Sequence, residues 1–184
     1  MLFSELLQNL VSDTVNRSLP LFSVELSLCA AIVLMLLVRL FSADRLLPAS
    51  VVATLAALAA CFFSLRQYPQ MQQVGGTSDL MFTGLLIHDQ FTVYFRGLLS
   101  LFLLLTIALT TLTGIPDDED GPDFHTLLLG ATLGMMLMAS ANNLLMLFVS
   151  VEMASVPGYA MVGFLKGRKV SSEAALKYVV YGAG

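Results

Sequence analysis

The amino-acid sequence predicts an all-α fold, a polytopic transmembrane helix bundle with five complete spans and a truncated sixth. Three observations carry this. The 184 residues are 57% hydrophobic and only 12% charged, with a mean hydropathy of +0.83, whereas a water-soluble domain carries roughly 25% charge. Apolar runs recur at about 20 residues, the length a helix needs to cross a ~30 Å hydrocarbon layer. With 13 Gly, 6 Pro and 2 Cys, the chain is neither disordered, collagen-like nor stapled by disulfides.

The complete spans are predicted at 19–41, 46–65, 91–112, 124–141 and 144–165, the last two separated by Asn142 and Asn143. A sixth run, 171–184, is too short to span, so the chain is expected to stop inside an element that continues. The whole of 1–184 reads as a single transmembrane domain without an internal repeat. The first run is not a secretory signal, because it is longer than an h-region and Leu28 is too bulky to precede a lipidated Cys29.

Positive flanks stay on the cytoplasmic side. One side collects Arg17 and Arg66, the other Arg39, Arg45, Lys166, Arg168 and Lys169. The second side is therefore predicted to be cytoplasmic and the N-terminus outside. The connection from Arg66 to Gln90 contains Pro69, Gly75 and Gly76, then a strand-like patch from Asp79 to Ile87. It predicts a short hairpin lying over the outer face of the bundle.

The net charge of −4 is concentrated in Asp117, Asp118, Glu119, Asp120 and Asp123, and nine Lys plus Arg form no basic stripe. Nucleic acid is excluded as a partner, which leaves the lipid bilayer and other membrane chains. Cys29 and Cys61 sit in apolar runs as small hydrophobes. His88 and His125 lack partners at metal-ligand spacing, and Pro116 and Leu127 occupy two ligand positions of what would be a calcium loop, so no metal is assigned.

Ionisable groups at membrane depth cost about 2.5 to 3.5 kcal/mol each on insertion scales and so need a reason. Glu25 and Arg96 lie near the starts of their helices and are expected to reach the headgroup zone. Glu152 has eight apolar-rich residues before it and thirteen after it in its run, too deep to snorkel, so it must face protein or water. Ser155 and Tyr159 share its face, and Pro157, followed by Gly158, frees the carbonyl of Met153. A proton-exchanging carboxyl fits this wet stripe; so does a glutamic acid that only hydrogen-bonds a neighbouring helix. Glu173, Lys177 and Tyr181 share a face of the sixth segment, where Glu173 and Lys177 equally suit a surface ion pair. The short loop 166–170 predicts an antiparallel pair of helices, with Glu152 roughly 20 Å and Lys177 roughly 9 Å from the loop. The two charges are not expected to touch directly.

The run from Ala131 to Leu145, including Ala139-Ser140-Ala141-Asn142-Asn143, followed by Val151-Glu152-Met153-Ala154-Ser155-Val156-Pro157-Gly158-Tyr159 and Ser172-Glu173-Ala174-Ala175-Leu176-Lys177-Tyr178, resembles the N-terminal portion of subunit N of bacterial NADH-quinone oxidoreductase, respiratory complex I. The resemblance is specific only over 131–184. It implies an antiporter-like fold, shared with subunits L and M and with cation/proton antiporters. It further implies a bacterial inner-membrane location beside other complex I subunits, and proton translocation through Glu152 with Lys177 on the adjoining helix. Ser155, Pro157, Tyr159 and Glu173 would support them. NADH and quinone would be used by the whole complex, with no cofactor or redox centre in this chain. Family members have about fourteen helices, so this chain holds less than half of the expected channel. The alternatives are part of a cation/proton antiporter, or a truncated structural membrane module without transport activity.

Overall fold

The computed structural model describes residues 2–41, 48–73, 78–114, 120–164 and 169–182. Arg45, Asp117, Asp118, Glu119, Lys166 and Arg168, which entered the charge reading, lie outside these residues, as do the ends of the runs predicted at 46, 165 and 184.

The described elements are α1 (Leu2–Asp13), a π-helical turn (Thr14–Ser18), α2 (Leu19–Leu21), α3 (Ser23–Leu40), α4 (Ala49–Gln73), β1 (Asp79–Met81), a 3-10 turn (Phe82–Gly84), β2 (Leu86–His88), α5 (Gln90–Thr113), α6 (Gly121–Ser140), α7 (Leu144–Val162) and α8 (Lys169–Gly182). Each predicted run maps onto a helix. Among the described residues α3, α4, α5 and α7 are long and apolar enough to cross a membrane. The 20 residues of α6 are not among them, because its start carries Gly121, Pro122, Asp123 and His125, which lower its hydropathy.

Three boundaries differ from the sequence reading. Residues 2–18 are helical, with Phe3, Leu6, Leu7, Leu10 and Val11 exposed, although no element is predicted there; this stretch is amphipathic and too polar for a span search to find. The first run is bent at Phe22, whose backbone leaves the helical region at φ −89° and ψ 12°. The helix of the second run continues through Pro69 to Gln73. Proline removes one donor, but Gln67 and Met71 bury their side chains on either side of it, and that packing holds the extra turns.

Side-chain caps fix two helix starts. Asp89 accepts from Thr92 N at 2.8 Å ahead of α5, and Asn143 accepts from Met146 N at 2.7 Å ahead of α7, each satisfying a donor that the first turn leaves free. The Asn142-Asn143 break is thus a helix cap.

Helix α6 is the hub, packing against α3, α4, α5 and α7. The core joins Val24, Leu28, Leu103, Ile107, Leu129, Leu133 and Met136, and a buried alanine stripe on α4, Ala53, Ala56, Ala57 and Ala60, allows close helix approach. In α7 only Ser150 is fully buried, and α8 packs on α7. At the end of the bundle away from the strands, Arg39 pairs with Asp123.

The predicted hairpin is present. Its strands pair antiparallel with Asp79 opposite His88 and Met81 opposite Leu86. The turn puts Phe82 and Thr83 at positive φ, a conformation that costs a side-chain-bearing residue roughly 1–2 kcal/mol. Tertiary contacts hold it: Phe82 N donates to Ser18 Oγ at 3.0 Å, and the Phe82 ring meets Phe22 edge-on at 5.2 Å. Arg17 pairs with Asp79 at 2.7 Å. On the other side Asn142 Nδ2 donates to Gly84 O at 2.8 Å and Asn142 N to Leu85 O at 3.1 Å. The hairpin therefore straps the start of α3 to the junction between α6 and α7.

Candidate functional site

Helix α7 is set by an unusually close crossing with α6. A Cβ on Gly134 would lie 2.5 Å from Ala154 N and 2.8 Å from Met153 C, and one on Gly130 would lie 3.8 Å from Pro157 Cγ. Gly130 and Gly134 are four residues apart, hence on one face, and such small-residue pairs let helix backbones meet in a membrane. The crossing turns Met153 and Ala154 toward α6 and leaves Glu152 exposed on α7. Of its predicted companions, Ser155 donates to the Val151 carbonyl at 2.7 Å within its own helix. Tyr159 stacks edge-on against Tyr178 of α8 at 5.1 Å.

Helices α7 and α8 run antiparallel, since Gly163 faces Ala175 while Tyr159 faces Tyr178 and Gly182. That register puts Lys177 level with about residue 160, roughly 12 Å along the axis from Glu152. Lys177 Nζ instead donates to Glu173 Oε1 at 2.7 Å, with both side chains about two-thirds exposed. The structure thus places Glu173 with Lys177, and Tyr159 beside the same hairpin of helices; it does not bring Lys177 to Glu152.

A second polar centre, missed by sequence reasoning, lies at the strand end of the bundle. Glu25 and Arg96 are fully buried, so the expectation that they reach the headgroup zone is overturned. Arg96 Nε donates to Glu25 Oε1 at 2.6 Å. Its Nη1 lies 3.2 Å from the Leu21 carbonyl, 3.2 Å from Gln67 Oε1 and 2.9 Å from His88 Nδ1. Gln67 Nε2 also donates to the Leu21 carbonyl at 3.0 Å. The hairpin and the extended end of α4 cover this level, and that cover excludes both charges from the surface. A guanidinium can only donate, so His88 Nδ1 accepts and the imidazole is neutral. Burial and the neighbouring Arg96 push the His88 pKa down to about 4. One signal in the sequence was available: opposite charges near the starts of two helices that begin on the same side of the bundle.

Residues 141–183, which hold α7 and α8, match a family model described as NADH:quinone oxidoreductase/Mrp antiporter, TM. Subunit N 2 of NADH-quinone oxidoreductase from Sorangium cellulosum is 37% identical over 171 residues, covering 90% of this chain and 33% of the relative. The Rhizobium meliloti subunit N 2 is 34% identical over 166 residues, again 90% of this chain and 33% of the relative. This chain is a relative of NADH-quinone oxidoreductase subunit N. A further subunit N 2, from Chloroherpeton thalassium, is 39% identical over 108 residues, 57% of this chain and 21% of the relative.

The subunit N relationship and the four apolar helices make this a membrane protein of antiporter-like class. The chain spans between about a fifth and a third of the length of these curated relatives. The reading as part of a separate cation/proton antiporter is not favoured, since these relatives are subunits of quinone oxidoreductases. The family match falls on the helix pair that carries Glu152, Glu173 and Lys177.

Proposed function

We propose that the chain forms part of a proton-translocating membrane subunit of an NADH-quinone oxidoreductase, contributing Glu152 as a proton-exchanging carboxyl and Lys177 as a charge on the adjoining helix. The observation that carries this reading is the α6–α7 crossing at Gly134, which fixes the backbone two residues from a carboxylate inside a membrane span matched by the family model. Ser155, Pro157, Tyr159 and Glu173 support the two charges. A freed carbonyl at Met153, with Glu152 and Ser155 on an α7 face otherwise lined by apolar side chains such as Phe148 and Val156, supplies polar positions along which water and protons can pass. In this reading the chain itself holds no redox centre. NADH and quinone react elsewhere in the complex, and other membrane subunits with lipid cover the open face of α7. The chain lies in a bacterial inner membrane, with the hairpin and N-terminus outside by the charge bias of its flanks.

The test is Glu152→Gln in the assembled complex, with proton pumping, NADH oxidation and subunit content measured together. The expected result is a fall in protons moved per NADH oxidised at normal subunit content. Unchanged pumping in a fully assembled complex would defeat the reading. Loss of assembly with a normal pumping ratio in the surviving complex would instead make Glu152 a structural group.

A further inference from the structure

The guanidinium of Arg96 is bonded along only part of its perimeter. Its Nε meets Glu25 Oε1, and Nη1 faces the Leu21 carbonyl, Gln67 and His88. Arg96 Nη2 and Glu25 Oε2 are both buried with no hydrogen-bond partner. In the planar guanidinium group, Nη2 shares with Nε the edge that is turned toward the carboxylate. Two unsatisfied atoms of opposite character therefore border the same side of one ion pair, in a region where unmet polar groups are costly.

Charge and chemistry restrict what can satisfy both. An anion at Nη2 would be repelled by the carboxylate, and a cation at Oε2 by the guanidinium. The ligand must be neutral, must accept from Nη2 and must donate to Oε2. It must also be small, because both side chains of the pair are fully buried. We propose that Glu25 and Arg96 hold a single internal water molecule, which accepts from Nη2 and donates to Oε2. Internal waters are ordinarily found where two to four such polar groups converge. This proposal is independent of the role assigned to Glu152.

The test is a structure of the unmodified protein in its assembled membrane complex, at a resolution that shows ordered water. One density peak within hydrogen-bonding distance of both Arg96 Nη2 and Glu25 Oε2 is expected. Arg96→Lys retains the charge but puts no donor at the Nη2 position, so the peak should move or vanish while the ammonium remains against Glu25. A direct bond between Nη2 and Oε2, a protein or lipid group at either atom, or no density between them overturns the proposal. So does a peak that persists unchanged in Arg96→Lys. If that variant fails to assemble, the map of the unmodified protein decides alone.

Discussion

Gly134 of α6 faces the backbone of Ala154 in α7 so closely that a methyl group there would sit 2.5 Å from the amide nitrogen. A contact with backbone has no flexible end to yield, so Gly134→Ala must push the helices apart. We expect a loss of at least about 1–3 kcal/mol, the range for overpacked cores, seen as a lower melting temperature in detergent. Gly130→Ala is the control. Its added carbon meets Pro157 Cγ at an ordinary 3.8 Å, and alanine favours the helix by roughly 0.5–1 kcal/mol. Stability should be unchanged or slightly higher, and equal losses at the two glycines would contradict the crossing.

Removing one member of the buried pair leaves the other uncompensated. Arg96→Met should destabilise the protein by about 3–5 kcal/mol, whereas the combined Glu25→Leu and Arg96→Met change should recover most of that loss. Denaturation of the two single variants and the double variant measures the coupling. Additive losses would mean that Glu25 and Arg96 do not form the pair described.

His88 links acidity to stability. Its native pKa is pushed down to about 4, below the value near 6.5 of an unfolded histidine, so the unfolded chain binds the extra proton first. The sign follows from linkage: this histidine costs nothing above about pH 7, and stability falls as the pH drops from about 6.5 to about 4. His88→Asn, which can place an acceptor near the position of Nδ1, should flatten that part of the curve. Melting temperatures of the two proteins between pH 4 and 7 provide the comparison, and parallel curves would exclude His88 as the source.

Lys177 and Glu173 are exposed partners one turn apart in this chain. Lys177→Ala should therefore change stability by no more than about 0.3–0.5 kcal/mol. A large fall in proton pumping in the assembled complex, at unchanged thermal stability, would assign Lys177 to transport. A stability loss of several kcal/mol would show that Lys177 is buried against another chain.

The helical runs, the break at Asn142 and Asn143 and the hairpin near Thr83 were legible because each follows from a local pattern. Apolar length makes a span, polar residues between two apolar runs make a break, and a strand-like patch after glycines makes a hairpin. The helix through Pro69 was hidden, because the contacts of Gln67 and Met71 that sustain it come from elsewhere in the chain. The extent of cover over Glu25 was hidden for the same reason: depth counted along one helix says nothing about what lies over its end.

By itself, the order of residues determined which segments are long and apolar enough to enter a membrane and which ionisable residues lie in them, since both are read along the chain. Tertiary structure decided which charges meet. Glu25 finds Arg96 across 71 positions because α3 and α5 start beneath the same hairpin, while Lys177 finds Glu173 one turn away because α8 packs on α7 and leaves both side chains exposed. Pairing depends on distance in space, which no count along the sequence contains.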